Sequence, residues 1–354
     1  MNDKHPLTQW VINKIENDYK EDIALLIAIK GHSVNHDGHG EIFDYFIPET
    51  ERGCELAQTF IIDGIGHDLY PRSWERMEKS AVLEEMTIIL ANAEILYAKS
   101  KGASEKFHAL QQKLTANLNN PAFVYCKALD RLESAAEIYR TLLFEEKSYR
   151  ARSEANRIHL YLSQAVAFMN HTFTDSPIYS EAQAYLCDSD NRMYHCPSLN
   201  LVPESFFNYA HRLLTADQPR EIKKIVHALI LTTKNFVLGH KPAINEARRI
   251  VNYENLADWY QELSLTWRRI HYFCQNNMPQ EAYRDACYLQ DELIVIAQEF
   301  QIEELNLLDS FSADSLLRLD LRSQKLEQII RGILSEHGVK IREYSSMEEF
   351  FAAN

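Results

Sequence analysis

The sequence predicts an α+β fold, with a small sheet domain over residues 1–100 followed by a larger all-helical domain over residues 101–354. Three observations carry this expectation. An unbroken apolar run from Ile23 to Ile29 has the length of a strand buried on both faces. Phe60-Ile-Ile62, then Asp63-Gly64, then Ile65 to Tyr70 reads as a β-hairpin, because Asp-Gly supplies the positive backbone angles of a tight turn. From Ser104 onward apolar residues recur at helical spacing almost throughout.

In chain order, Leu7, Val11 and Ile15 recur every four residues, which predicts an amphipathic helix from about Pro6 to Tyr19 that packs on a sheet. Its first turn tolerates the proline. The strand-like run that follows ends at Lys30-Gly31, and a Gly- and His-rich loop leads to a second strand, Ile42 to Ile47, stopped by Pro48. Pro71 closes the hairpin, and Ser73 is suited to cap a helix beginning at Trp74. In the helical part, Leu129, Leu132, Ala136, Tyr139 and Leu143 form one expected core stripe, and Ile158, Tyr161, Leu162, Ala165, Phe168 and Met169 another. Breaks fall at Asn119-Asn120-Pro121, Thr174 to Pro177, Cys196-Pro197, Asp217 to Pro219 and Gly239 to Pro242. Near the end, Val339 to Tyr344 reads as an extended segment before a terminal turn from Met347.

Composition narrows the function. A formal net charge of −14 without a long basic run argues against nucleic acid as a partner and favours cationic or metal-bound ligands. Six scattered cysteines with no CxxC pair fit free thiols in a reducing compartment. The N-terminus lacks an apolar signal region, and no stretch of about 18 uncharged apolar residues occurs. The expectation is a cytoplasmic protein without a membrane partner; assembly as a homodimer is left open.

The order of elements then acquires meaning. Ile27-Ala-Ile-Lys-Gly31-His-Ser-Val, Glu41-Ile-Phe-Asp-Tyr-Phe-Ile-Pro48 and Asp63-Gly-Ile-Gly-His-Asp68-Leu-Tyr-Pro-Arg-Ser-Trp74 together resemble the nucleotidyltransferase superfamily, and within it the bacterial aminoglycoside-type antibiotic nucleotidyltransferases. The resemblance covers about the first hundred residues. It implies a small mixed sheet, a nucleoside triphosphate such as ATP as substrate, Mg2+ or another divalent ion as cofactor, and transfer of a nucleotidyl group to a hydroxyl of a small molecule. In that family two carboxylates at alternate positions of one strand and a third on a neighbouring strand hold the ions. The alternate positions match Glu41 and Phe43, and the third matches Asp68. Gly31, His32 and Ser33 match the phosphate-gripping turn, with the serine displaced by one. Phe43 has no ligand atom. Asp44 lies next to it, and successive strand residues point to opposite faces unless a bulge re-phases the strand. An incomplete acidic pair gives the alternative of a non-catalytic binding or regulatory protein on the same fold.

Other constellations have plainer readings beside functional ones. His32, His36, His39, Asp37, Glu41, His67 and Asp68 are rich in ligand atoms for a transition metal, and equally form a solvated polar loop. His67-Asp68 is a metal-phosphohydrolase-like dyad in a strand context. Cys187 with His195-Cys196 is half of a zinc site, or a set of free thiols. Arg152 to His159, Arg220 to His227 and Arg331 to His337 fit a loose arginine–histidine spacing of helical nuclease-like domains, at a frequency chance alone supplies. The pairs Phe206-Phe207, Trp259-Tyr260 and Tyr272-Phe273 are packing residues by default.

Overall fold

Every residue of β1 (Ile23–Ile29) is buried, as its unbroken apolar run requires of a strand covered on both faces. The structure is a computed structural model that describes residues 6–29, 43–62, 64–180, 197, 199–243, 252–303 and 305–353. Two compact units divide it, Met1–Ile244 and Asn245–Asn354.

In the first unit β1 joins β2 (Phe43–Pro48), β3 (Gln58–Ile62), β4 (Ile65–Pro71) and β5 (Ala93–Ala98) in a five-stranded sheet of order β3-β4-β2-β1-β5. β1 pairs antiparallel with β2 and β5, β3 with β4, and β2 runs parallel to β4, so the sheet is mixed. The hairpin forms as its sequence predicts: Ile62 faces Ile65, and Gly64 has φ +79°. β5 was not anticipated. α1 (Pro6–Asp18) covers one face, where Val11 and Ile15 pack with Ile23, Leu26, Phe46 and Leu69. On the opposite face Leu25, Ile27, Ile29, Tyr45 and Ile47 belong to a core that continues into helices.

Those helices are α2 (Trp74–Ala81), α3 (Ile88–Ala91), α4 (Lys101–Leu118), α5 (Pro121–Leu142), α6 (Ser148–Met169), α7 (Phe206–Thr215) and α8 (Pro219–Gly239). Ser73 Oγ accepts from the Arg76 amide and caps α2, while Asn120 Oδ1 accepts from the Ala122 and Phe123 amides and caps α5. Ile158, Leu162, Ala165 and Phe168 are buried as expected. The stripe on α5 differs: Val124, Ala128, Leu132, Ala135 and Leu142 are buried, and Leu143 is 45% exposed. The helix stops at Leu142, so Leu143 falls at its cap and turns away from the core. The sheet gives way to helix at Ser100, and one apolar core runs from Ala24 to Val237 across that point.

The second unit contains α9 (Tyr253–Gln275), α10 (Pro279–Glu299), α11 (Leu317–Glu336) and α12 (Met347–Ala353), around a core that includes Leu263, Trp267, Leu289 and Leu326. The Tyr260 hydroxyl donates to Glu327 at 2.6 Å and accepts from Arg331 at 2.8 Å, and Arg331 also donates to Glu343 at 2.6 Å. Val339 to Tyr344 forms no strand; Arg331 and Gln261, which accepts from the Arg342 amide, hold it as irregular chain. Among the described residues no helix is long and apolar enough to cross a membrane.

Two contacts in the first unit yield tests. Asp22 accepts from Thr50 Oγ1 at 2.6 Å and Arg52 Nη1 at 2.8 Å, and its backbone carbonyl accepts from the Glu49 amide. A Cβ on Gly53 would lie 2.4 Å from that carbonyl oxygen. Gly53→Ala is therefore expected to cost about 2 kcal/mol by overpacking, read as a lower urea midpoint at constant slope; an unchanged midpoint would mean the loop yields freely. The Asp175 carboxyl accepts from the Thr87 amide at 3.1 Å and the Ile88 amide at 2.8 Å, one oxygen each. Burial pushes its pKa above the usual carboxylate range. Asp175→Asn offers one oxygen to two amides and should lose about 1–3 kcal/mol. The folded chain keeps the Asp175 proton to higher pH than the unfolded chain, so wild-type stability falls as pH rises between the two pKa values. The gap to the Asn variant should narrow over that range, and a widening gap in urea titrations across pH would contradict the assignment.

Candidate functional site

Leu69 is buried on the α1 face of the sheet, so strand alternation turns Asp68 and Tyr70 to the other face. Asp68 is exposed there. Its cross-strand neighbour is Thr59, whose Oγ1 donates to Asp68 Oδ1 at 3.2 Å. On the other side, β2 and β4 pair in parallel with Tyr45 beside Tyr70 and Phe46 beside Pro71. That pairing of β2 with β4 covers Tyr45–Phe46 and Tyr70–Pro71, and positions 43 and 68 precede it by two residues on each strand.

The β1–β2 ladder is irregular at the same point. Ile27 faces Tyr45 and Ala28 faces Phe43, so one step along β1 spans two along β2, and Asp44 is left without a partner in that ladder. Two residues opposite one is the arrangement of a β-bulge, which locally re-aims the strand. Gly31, His32, Ser33 and Glu41, together with His36, Asp37 and His39, lie outside the described residues, as do Cys187, His195 and Cys196.

The His67-Asp68 dyad does not form a joint site. His67 stacks on Phe60 with ring centroids 5.6 Å apart, and Phe60 meets Trp10 of α1 at 6.3 Å, so His67 serves the α1 face while Asp68 serves the opposite one. Neighbouring strand residues cannot chelate one ion unless the strand is distorted between them. Among the described residues no group of three or more His, Cys, Asp or Glu side chains could hold a metal ion. The arginine–histidine spacings also resolve into packing: His159 is fully buried, His227 lies against Tyr139 at 5.9 Å, and His337 stacks on Tyr253 at 3.6 Å.

Sequence reasoning missed the charged cluster at the far end of β4. Arg72 lies over the rings of Tyr45 and Tyr70, at 5.6 and 5.7 Å, and 3.5 Å from Glu85. Arg76 donates through Nε to both Glu85 oxygens and through Nη1 to the Tyr70 hydroxyl at 3.1 Å. Burial lowers the pKa of Arg72, and the nearby Arg76 charge adds to the effect. Tyr45 donates its hydroxyl to the Ile89 carbonyl at 2.6 Å. Arg72 and Arg76 flank a helix cap in sequence, which hides a cluster that only the Glu85 partner reveals. Four strand residues, about 13 Å, separate it from Asp68, so it borders the Asp68 face rather than joining its carboxylate.

The described chemistry at the site is one exposed carboxylate, Asp68, with aromatic and cationic side chains further along the same face. No protein-family model matches the chain, and no curated protein matches it. Among solved structures the chain is similar to a nucleotidyltransferase-like protein from Exiguobacterium sibiricum 255-15, at 11% identity and a TM-score of 0.35, over 82% of this chain and 91% of that one.

Proposed function

We propose that this chain is a nucleotidyltransferase-like protein whose sheet binds a nucleoside triphosphate, ATP or another, with magnesium or a different divalent ion. The supporting observation is the parallel β2–β4 pairing of Tyr45 with Tyr70 and Phe46 with Pro71, a register that would align position 43 with Asp68 if it continued, beside a bulge at Asp44. Phe43 offers no ligand atom, so the second carboxylate falls to Asp44, re-aimed by the bulge, and to Glu41. Gly31, His32 and Ser33 are assigned to the phosphates. Bound ions would neutralise the triphosphate and activate an acceptor hydroxyl for in-line attack at the α-phosphorus. Asp68 holds its position through Thr59 and contributes negative charge without burial cost. The acceptor is a small hydroxyl compound, and the acidic chain favours a cationic one, of which aminoglycosides are the antibiotic example.

A second reading is favoured by Phe43 itself, an apolar residue at the position matched to the second carboxylate. In it the fold binds a ligand or partner without catalysis. Calorimetric titration with magnesium and ATP separates the two. The first reading predicts saturable binding that Asp68→Asn and Asp44→Asn each weaken by at least about tenfold, roughly 1.4 kcal/mol, at unchanged melting temperature. Absence of binding at millimolar nucleotide would remove the catalytic reading. Phe43→Asp should then create metal affinity where the wild type has none.

A further inference from the structure

Within the first unit, α6, α7 and α8, with the chain at Tyr179, line a half-open pocket of about 200 Å3 that none of the chemistry above uses. Its lining combines Arg152, Asn156 and Tyr179 with Leu213, Leu214 and Ile222. We propose that it binds a small carboxylate carrying an apolar ring or branched tail.

The polar rim offers two donor groups, the Asn156 amide nitrogen and the Arg152 guanidinium, beside a Tyr179 hydroxyl whose proton is already used. The Tyr179 hydroxyl donates to Asn156 Oδ1 at 2.7 Å, which leaves the Nδ2 end of the Asn156 amide as the half available to a ligand. Arg152 adds a guanidinium. The acid nearest in sequence, Glu154, is engaged with Arg157 at 2.9 Å, and Arg152 has no ion-pair partner among the described residues. An uncommitted arginine beside an amide donor suits an oxyanion, and a planar carboxylate matches the guanidinium fork. The opposite wall is hydrocarbon. Ile222 is buried, while Leu214 stays 51% exposed at the rim, where an apolar ligand would cover it.

A second observation lies on the same face of α6. Arg152, Asn156 and His159 follow at helical spacing, and His159 is fully buried with its ring 4.6 Å from that of Tyr179. Neither imidazole nitrogen has a hydrogen-bond partner of proper geometry. Burial pushes the pKa down to about 4, with the Ile178 backbone giving a weak offset, so the ring is neutral. A phenylalanine would fill that space without orphaned polar atoms. This face of α6 therefore carries polar capacity that the fold does not consume, directly behind the Tyr179 wall. The volume also suits such a ligand: a cavity of roughly 150 Å3 accommodates benzene, and this half-open pocket of about 200 Å3 matches the bulk of benzoate better than that of a nucleotide.

The test titrates the full chain with benzoate and with neutral, isosteric benzamide, by saturation-transfer NMR and calorimetry. Benzoate is expected to bind about tenfold more tightly than benzamide. Arg152→Met should abolish that preference while leaving benzamide binding and the melting temperature unchanged. Leu214→Trp, a rim substitution at an exposed position, should block both ligands. Absence of benzoate binding at millimolar concentration, or equal benzoate affinity in the wild type and Arg152→Met, would overturn the proposal.

Discussion

The parallel pairing of β4 with β2 is the constraint on which the candidate site depends. Parallel neighbours cannot be joined by a tight turn. The chain leaves β2 at Pro48, makes a short 3-10 turn over Arg52–Leu56, runs out to the edge as β3 and returns through the Gly64 turn as β4 beside β2. The Arg72 amide then bonds the Phe46 carbonyl at 2.9 Å and fixes the register. A slip of one residue would exchange Asp68 for His67 on the working face and lift Leu69 out of the α1 core. Burial of Leu69 against Val11, Ile15 and Leu26 is therefore what holds an exposed carboxylate in its place.

Helical side chains complete the sheet layer from the other side. Asn117 donates to the Ala81 carbonyl, Arg131 to Leu83, and Gln111 to Leu90 and Ala93, while Asp175 accepts from Thr87 and Ile88. These bonds satisfy a connection whose backbone would otherwise be left unpaired between β4 and β5. They also explain how Leu83, at φ 62°, is retained in a left-handed conformation that non-glycine residues seldom adopt. Arg131 itself lies over Tyr161 and Phe168, and burial lowers its pKa. Sheet and helices in this unit consequently share one core.

The parts of this arrangement that were legible in sequence are those coded locally. β1 is an uninterrupted apolar run, the hairpin carries Asp-Gly, and α2 and α5 begin at Ser73 and Asn120, whose side chains cap them. β5 escaped notice because Ala-Glu-Ile-Leu-Tyr-Ala neither alternates cleanly nor runs apolar throughout, and its half-buried pattern reflects an edge position. The bulge at Asp44 was foreseeable only as a condition, since it arises from how β1 and β2 register rather than from either strand alone. Long-range pairs such as Arg76 with Glu85 and Asp175 with Thr87 leave no local trace. The opposite facing of His67 and Asp68 follows from strand alternation, and the Phe60 stack makes it visible.

Convergence of Asp44 with Asp68 across β2 and β4 is the claim on which the functional account rests. Paramagnetic broadening by Mn2+ in the presence of ATP, read on assigned backbone amides, tests it most directly. The account predicts selective loss of the signals of residues 43–45 and 67–69 at substoichiometric Mn2+, reversed by excess Mg2+. Broadening confined to other acidic surfaces, with those amides unaffected, would contradict it.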